Sequence, residues 1–455
     1  MMKPEHCLRV CEWSAVSVRG LLDADQREAI EEASEAWRVA NGLSTLPLSF
    51  AGPNGDTLRA CQYVGVVEVF GATIEIFPKL DQQLLDSNQI TSALLADTVM
   101  RNLLWMLDVS GYIDISEADT AHLEEHPVSF YDVFAYLMAR NLRDELASGI
   151  PHAYQIMREA IPAVRGRINI LDQVTSHWNR MDRVSCIWDE FTPDIPLNRL
   201  FKCACRLLTD KVANPVVSRL LVDCQAYLDS VADVDPLTAL RDIEFFRWDR
   251  SNERLKTSFD MAIRLLVGTG YTLGKGGSDT FVFLMDMNSL FEAYVSAIIE
   301  ASFGIEVKTQ QYVGKLFVDP PRLGQYPDYI WQTGKKRWIG DAKYKHLAKG
   351  QHNSLTFTDL LPEHSEAISA GLRADQVLDS ADVRQLTVYA ELLRQREKLT
   401  EFPDIMILYP FVGTGLFRST QATTWNGSRF HLTPVRVTRQ KELAEAIPRY
   451  PGEHV

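Results

Sequence analysis

Three textures of hydrophobic and polar positions follow one another along the chain. Residues 1 to about 88 open with an acidic helical stretch, Asp23 to Arg38, and then turn to alternation in Leu58–Phe70 and Ala72–Phe77 on either side of Gly71. Alternation around a glycine predicts a small antiparallel hairpin or barrel. The turn cluster Pro53-Asn54-Gly55-Asp56 predicts another hairpin. From about 89 to 267 the apolar spacing lengthens to that of helices. Phe130, Val133, Phe134, Leu137 and Met138 form one stripe, and Leu197, Leu200, Phe201, Ala204, Leu207 and Leu208 another. Asp194 with Pro196 predicts the start of the second helix, and Cys203 and Cys205 fall inside its stripe as packing residues.

The run Gly268-Thr-Gly-Tyr-Thr-Leu-Gly-Lys-Gly-Gly277 reads as a flexible linker. A phosphate loop needs G-x-x-x-x-G-K-[ST]; here Thr269 stands at the first glycine position and Gly276 follows the lysine. Beyond Asp286 the pattern predicts a helix over Asn288–Ala301 and strands near Ile305–Gln311, Tyr326–Gln332 and Arg337–Lys345. A helix over Ala381–Arg396 and a buried strand over Asp404–Pro410 complete it. The expected fold class is α+β multidomain. It comprises an N-terminal β-rich module (1–88), a central helical region (89–267) and a C-terminal α/β domain with a mixed sheet (268–455).

Composition narrows the function. The 455 residues are 46% hydrophobic and 24% charged, with a net charge of −13, which excludes a wholly basic nucleic-acid coat protein. Seven cysteines form no C-x-x-C pair, so neither a disulfide framework nor a zinc ribbon is expected, and a reducing cytoplasm is the expected location. His6, Glu5 and Glu12 stand where a secretory signal would need an apolar core. The apolar stretch Ile405–Phe417 is interrupted by Pro410, Gly413 and Gly415 and is too short to span a bilayer, so no membrane association is expected.

The segment from Tyr326 to Lys345 carries the chemistry. Two strands joined by a turn at Gly334 would place Asp328 near the start of one and Asp341 near the end of the other. Their carboxylates could then converge on one divalent cation, Mg²⁺, with the backbone carbonyl of Ala342 as a further oxygen. Lys343, two residues past Asp341, projects from the same strand face. Such a set suits phosphodiester hydrolysis: the metal acidifies a water and the ammonium stabilises the charged transition state. A D-x-K triplet alone also fits a solvated surface hairpin, but three accompaniments favour a site. Asp328 has the hairpin spacing, Gln385 and Tyr389 stand four apart on the following helix, and Glu292 sits among Leu290, Phe291, Tyr294 and Val295.

Pro327-Asp328, Asp341-Ala-Lys343 and Gln385-Leu-Thr-Val-Tyr389 resemble the PD-(D/E)xK nuclease superfamily, with the Q-x-x-x-Y element of several branches. More closely, the chain is similar to the McrC subunits of McrBC modified-cytosine restriction systems. Val164-Arg-Gly-Arg-Ile168, Asp194-Ile-Pro-Leu-Asn198, Met287-Asn-Ser-Leu-Phe-Glu292, Leu408-Tyr-Pro410 and Gly71–Lys79 carry that likeness. The resemblance implies a nuclease-like C-terminal domain and an endonuclease that acts on double-stranded, methylated DNA with a hexameric AAA+ GTPase partner, whose hydrolysis it stimulates. It implies Asp328 and Asp341 as metal ligands, Lys343 as the catalytic lysine, and Glu292 and Gln385 as supporting residues.

From Glu306 to Gly350 nine basic residues face four acids, and two of those acids are the expected ligands. Lys335, Lys336 and Arg337 at the hairpin tip are candidate phosphate contacts, with Tyr389 as a further DNA-facing residue. Two other readings stay open at this level: a non-catalytic activator of an AAA+ partner, and a stand-alone DNA repair nuclease.

Overall fold

The computed structural model describes residues 6–80, 93–112, 128–273, 281–317, 322–344, 380–412 and 418–448, apart from positions 44, 54, 71, 181, 245 and 251. Gly71, and Lys345 at the end of the expected third strand, lie outside the described residues. The chain divides into two compact units. One combines Met1–Glu124 with Leu284–Val455, and the other is Glu125–Phe283. The contiguous three-part division expected from the sequence is therefore not how the residues cluster. The N-terminal module packs with the C-terminal domain because pairings distant in the chain hold them together.

The first unit begins with β1 (His6–Cys11), β2 (Ala15–Ser17) and α1 (Ala24–Ala40), followed by β3 (Leu48–Ala51), β4 (Thr57–Ala60), β5 (Tyr63–Val69), β6 (Ala72–Phe77) and α2 (Ala93–Val109). A capping box starts α1: the Asp23 side chain accepts from the Gln26 amide and the Gln26 side chain accepts from the Asp23 amide. Both expected hairpins form, β3 on β4 and β5 on β6. What alternation could not show is that β1 joins β6 in parallel, from His6 opposite Ala72 to Cys11 opposite Phe77. That puts β6 in the interior of its sheet, and all six of its residues are buried.

The second unit holds α3 (Phe130–Ala147), β7 (Ala153–Ile161), β8 (Arg167–Ile168), α4 (Ile170–Thr175), β9 (Val184–Thr192), α5 (Pro196–Thr209), α6 (Pro215–Tyr227), α7 (Pro236–Ile243) and α8 (Lys256–Leu273). The expected stripes are core: Phe130, Val133, Phe134, Leu137 and Met138 are buried, as are Leu197, Leu200, Phe201, Ala204 and Leu208. Three expectations need correction. The region includes a three-stranded sheet of order β7-β9-β8; β7 is largely exposed and so lacks the alternation that marks a half-buried strand. Pro196 is the first residue of α5, but Asp194 does not cap it. It instead receives Arg199 through two bonds of 2.7 and 2.8 Å. The expected linker is helical through Leu273, and Gly274–Gly277 lie outside the described residues.

The chain re-enters the first unit at Leu284, within β10 (Phe281–Asp286), and continues into α9 (Met287–Phe303). Asp286 caps α9 through the Asn288 amide, and Gly304 ends it at φ 62°, the left-handed conformation that favours glycine. Next come β11 (Lys308–Thr309), β12 (Gly314–Phe317), β13 (Arg322–Gln325), β14 (Tyr329–Thr333), β15 (Lys336–Ala342), α10 (Ser380–Glu397), β16 (Asp404–Phe411), β17 (Thr420–Thr423) and β18 (Arg429–Arg436). Six of the strands form a mixed sheet of order β11-β14-β15-β16-β18-β17. β14 and β15 are antiparallel, whereas β15, β16 and β18 run parallel. On one face, Ile330, Ile339, Ile405 and Ile407 meet Leu386, Tyr389, Ala390 and Leu393 of α10. Those helix positions, spaced three and four apart, form one apolar stripe. Every residue of β16 is buried, as a strand covered on both faces requires.

Candidate active site

The site grows out of the β14–β15 hairpin. Thr333 pairs with Lys336, so Gly334 and Lys335 form a two-residue turn, and Gly334 takes φ 57° as such a turn demands. Counting back along the ladder, Tyr329 faces Gly340, which puts Asp328 opposite Asp341. Gly340 is the residue this register requires. A Cβ there would come within 2.7 Å of Trp331 Cζ3 and 2.9 Å of Tyr329 Cδ2.

Asp328 is held from two sides. Its Oδ2 accepts from the Ala342 amide at 3.0 Å and its Oδ1 from Gln310 Nε2 at 3.3 Å. Lys343 Nζ lies 2.6 Å from Asp341 Oδ2 and 3.6 Å from Asp382 Oδ1, on the first turn of α10. Asp328, Asp341 and Lys343 thus share the sheet face on which α10 packs, as the alternation along the strand requires. Glu292, on α9, is half-buried close to Asp341 and Lys343, and its backbone carbonyl accepts from Tyr329 Oη at 2.6 Å.

The electrostatics follow from four acids around one lysine. Burial, and then Asp328 beside it, push Asp341 up to about 7 despite the nearby ammonium. Burial also raises Asp328, with Glu292 adding to it and the Ala342 amide opposing it. Glu292 is raised by burial, then by Asp341 and Asp286. Burial alone would lower Lys343, but Asp341, Asp382 and Asp328 hold it above the ordinary lysine value. With all four acids ionised the cluster would hold more negative charge than Lys343 balances, and a bound cation would relieve it.

Mg²⁺ fits this donor set, because it is commonly held by one or two carboxylates with waters and substrate oxygens filling the remaining positions. Among the described residues no three His, Cys, Asp or Glu side chains form a ready-made metal cage. Asp328 and Asp341 are the pair the register presents.

The structure brings together Glu292, Asp328, Asp341 and Lys343, and adds two residues that the sequence reading missed. Asp382 stands three residues before Gln385 and so close to the same helix face, a usable signal. Gln310 had none: its backbone takes φ 47°, and its amide donates to the Asp328 carbonyl at 3.1 Å. Gln385 and Tyr389 meet as expected, Nε2 donating to Oη at 2.6 Å, but Tyr389 belongs to the helix–sheet core and Gln385 is exposed.

The basic tip is arranged differently from the expectation. Lys336 Nζ lies 2.9 Å from Asp404 Oδ2, and Arg337 makes a two-pronged pair with Glu397 at 2.8 and 2.6 Å. Arg429 and His431 also reach Asp404. Burial would raise the Asp404 carboxyl, but His431, Lys336 and Arg429 outweigh it and hold it at about 2. The tip is also at the far end of β15, five residues and about 17 Å from Asp341. Lys335 is exposed in the turn.

The family model described as McrBC 5-methylcytosine restriction system component matches residues 58–359, about two thirds of the chain. The chain is similar to one in the tetradecameric assembly of Thermococcus gammatolerans McrB AAA+ hexamers with bound McrC. Identity is 17%, the TM-score is 0.62, and the match covers 97% of this chain and 98% of that one. A chain of the Thermococcus gammatolerans McrBC complex matches at 19% identity with a TM-score of 0.41, over 64% of this chain and 87% of that one. No curated protein matches. At such identities the first likeness speaks for the fold.

Proposed function

Because the chain belongs to the family of McrBC 5-methylcytosine restriction system components, we propose that it is the DNA-cutting subunit of such a system. In this reading it is a Mg²⁺-dependent endonuclease with a PD-(D/E)xK-like domain. It cuts methylated double-stranded DNA when engaged by a hexameric AAA+ GTPase partner, whose hydrolysis it stimulates. The observation that carries the reading is the convergence of Asp328, Asp341 and Lys343 at the ends of paired strands, with Glu292 and Asp382 beside them.

Asp328, anchored by Ala342 and Gln310, and Asp341 would hold the metal, with the Ala342 carbonyl as a further oxygen. Bound there, Mg²⁺ supplies charge neutralisation at the phosphate and an acidified water. The Lys343 ammonium, kept charged by its acidic neighbours, would stabilise the negative charge that develops on the scissile phosphate. Glu292 would support the charge balance of the pair from α9. The Thermococcus assembly is described as AAA+ hexamers with bound McrC, which supports a ring partner for this chain too.

The test is cleavage of methylated DNA by the full chain with its AAA+ partner, GTP and Mg²⁺. Asp341→Ala should abolish cleavage while leaving stimulation of GTP hydrolysis in place. Lys343→Ala should slow cleavage by about 10²–10³-fold, the range for losing one preorganised charge-stabilising donor. Wild-type cleavage by folded Asp341→Ala protein would remove this reading.

A further inference from the structure

β12 and β13 stand apart from the six-stranded sheet and form a two-stranded antiparallel ribbon. Its root is fastened. Val313 is buried in the core under α10, and its amide donates to the Gln325 carbonyl at 2.9 Å. A Cβ on Gly314 would come within 3.0 Å of Leu392 Cδ2, so the strand lies close on α10 there. Beyond the root the burial stops. Lys315 and Arg322 are exposed, and so are Leu316 (47%), Phe317 (55%) and Leu323 (60%).

Large apolar side chains left in water beside cations mark a surface that something covers. The registers Lys315 opposite Gly324 and Phe317 opposite Arg322 put Lys315, Phe317 and Arg322 on one face. Lys308 adds a third cation near the root, and among the described residues none of the three has an acidic partner. This contrasts with Lys336 and Arg337, whose charges are taken up by Asp404 and Glu397.

We propose that the β12–β13 ribbon is the DNA-gripping element of this chain. Lys315 and Arg322 contact phosphates, and Phe317 packs against the duplex between them. The occupant follows from charge and shape. A local group of cations without acidic partners among the described residues, in a chain of net charge −13, selects a polyanion, and a two-stranded ribbon has the width that the major groove admits. Position agrees: Arg322 precedes Asp328 by six residues, at most about 20 Å of extended chain, so the ribbon lies within reach of a duplex seated at the carboxylates. This inference rests on the nuclease reading for its substrate but uses different residues.

The experiment measures binding of the full chain to fluorescent duplexes, methylated and unmethylated, across a salt series in EDTA, where no cleavage interferes. Lys315→Ser with Arg322→Ser should weaken binding to both duplexes equally. It should also flatten the slope of log affinity against log salt by about two, at about 0.9 for each phosphate contact. Phe317→Ser should weaken binding without changing the slope. All three side chains are exposed, so the thermal midpoint should not move. The proposal is overturned if the wild-type chain does not bind duplex, or if the double variant keeps the wild-type slope. It is equally overturned if that variant loses the AAA+ partner instead of DNA. Cleavage by Asp341→Ala is scored separately. Loss of the salt slope with persistent cleavage by Asp341→Ala would leave the ribbon standing and remove the nuclease site, and the reverse pattern would do the opposite.

Discussion

Glu12 is fully buried in the first unit, where its Oε1 accepts from Tyr344 Oη at 2.5 Å and from the Lys79 amide at 2.8 Å. Burial pushes its carboxyl from the ordinary 4.5 up to about 7, against the pull of those two donors and of the Lys79 ammonium, with Asp286 adding to the rise. The folded state therefore keeps a proton that the unfolded chain has already released. Below about pH 4.5 both states are protonated and Glu12 leaves no pH signature. As pH rises toward 7 the unfolded state gains, and stability falls until the folded carboxyl also ionises. The gap between 4.5 and about 7, at 1.36 kcal/mol per pH unit, amounts to about 3 kcal/mol above neutrality. Glu12→Gln keeps an oxygen for both donors and cannot ionise. Urea unfolding midpoints of the two proteins from pH 4.5 to 9 should therefore diverge, with the variant gaining about 3 kcal/mol on wild type by pH 8 and no more beyond it. An unpaired amide where Oε2 sits, itself without a hydrogen-bond partner among the described residues, would add a constant offset. Only the slope carries the argument. A stability difference that is equal at pH 5 and pH 8 would refute it.

Two further outcomes follow from the sheet. Gly340→Ala puts a methyl against Trp331 and Tyr329 in a packed layer where Trp331 stacks on Trp338 at 5.7 Å; it should lower stability by about 1–3 kcal/mol, as overpacking does, and reduce cleavage by moving the neighbouring Asp341, read from the thermal midpoint and from DNA cleavage together. Asp404→Asn should lower stability by about 2 kcal/mol at neutral pH, because the wild-type carboxyl falls from 3.8 to about 2. That contribution is fully present above about pH 4 and is lost as pH falls through about 2, so acid titration of unfolding should show the two proteins converging there.

What the amino-acid order determined by itself is what depends on near neighbours. The turn at Gly334 joins strands that must pair from Thr333 and Lys336 outward, so Asp328, Asp341 and their opposition were legible once the strands were read. Lys343 followed from two-residue periodicity, and the α10 stripe from helical periodicity, because both geometries repeat within a few residues. The resemblance of these motifs to known nucleases added roles that spacing alone left open.

Tertiary structure decided the rest, for reasons that local pattern cannot carry. Lys336 lost its freedom because β15 and β16 align in parallel with Trp338 opposite Asp404, a register set by packing between strands joined by a long crossover. Arg337 met Glu397 across 60 residues, and Tyr344 met Glu12 across 332. β7 went unread because an exposed strand has no buried face to impose alternation. Gln310 reached Asp328 through a left-handed turn, and Asp382 reached Lys343 from a helix end, placements that depend on the completed sheet. A side chain's direction is written in its local periodicity, but the charge it meets is chosen by which distant strands and helices the core brings alongside.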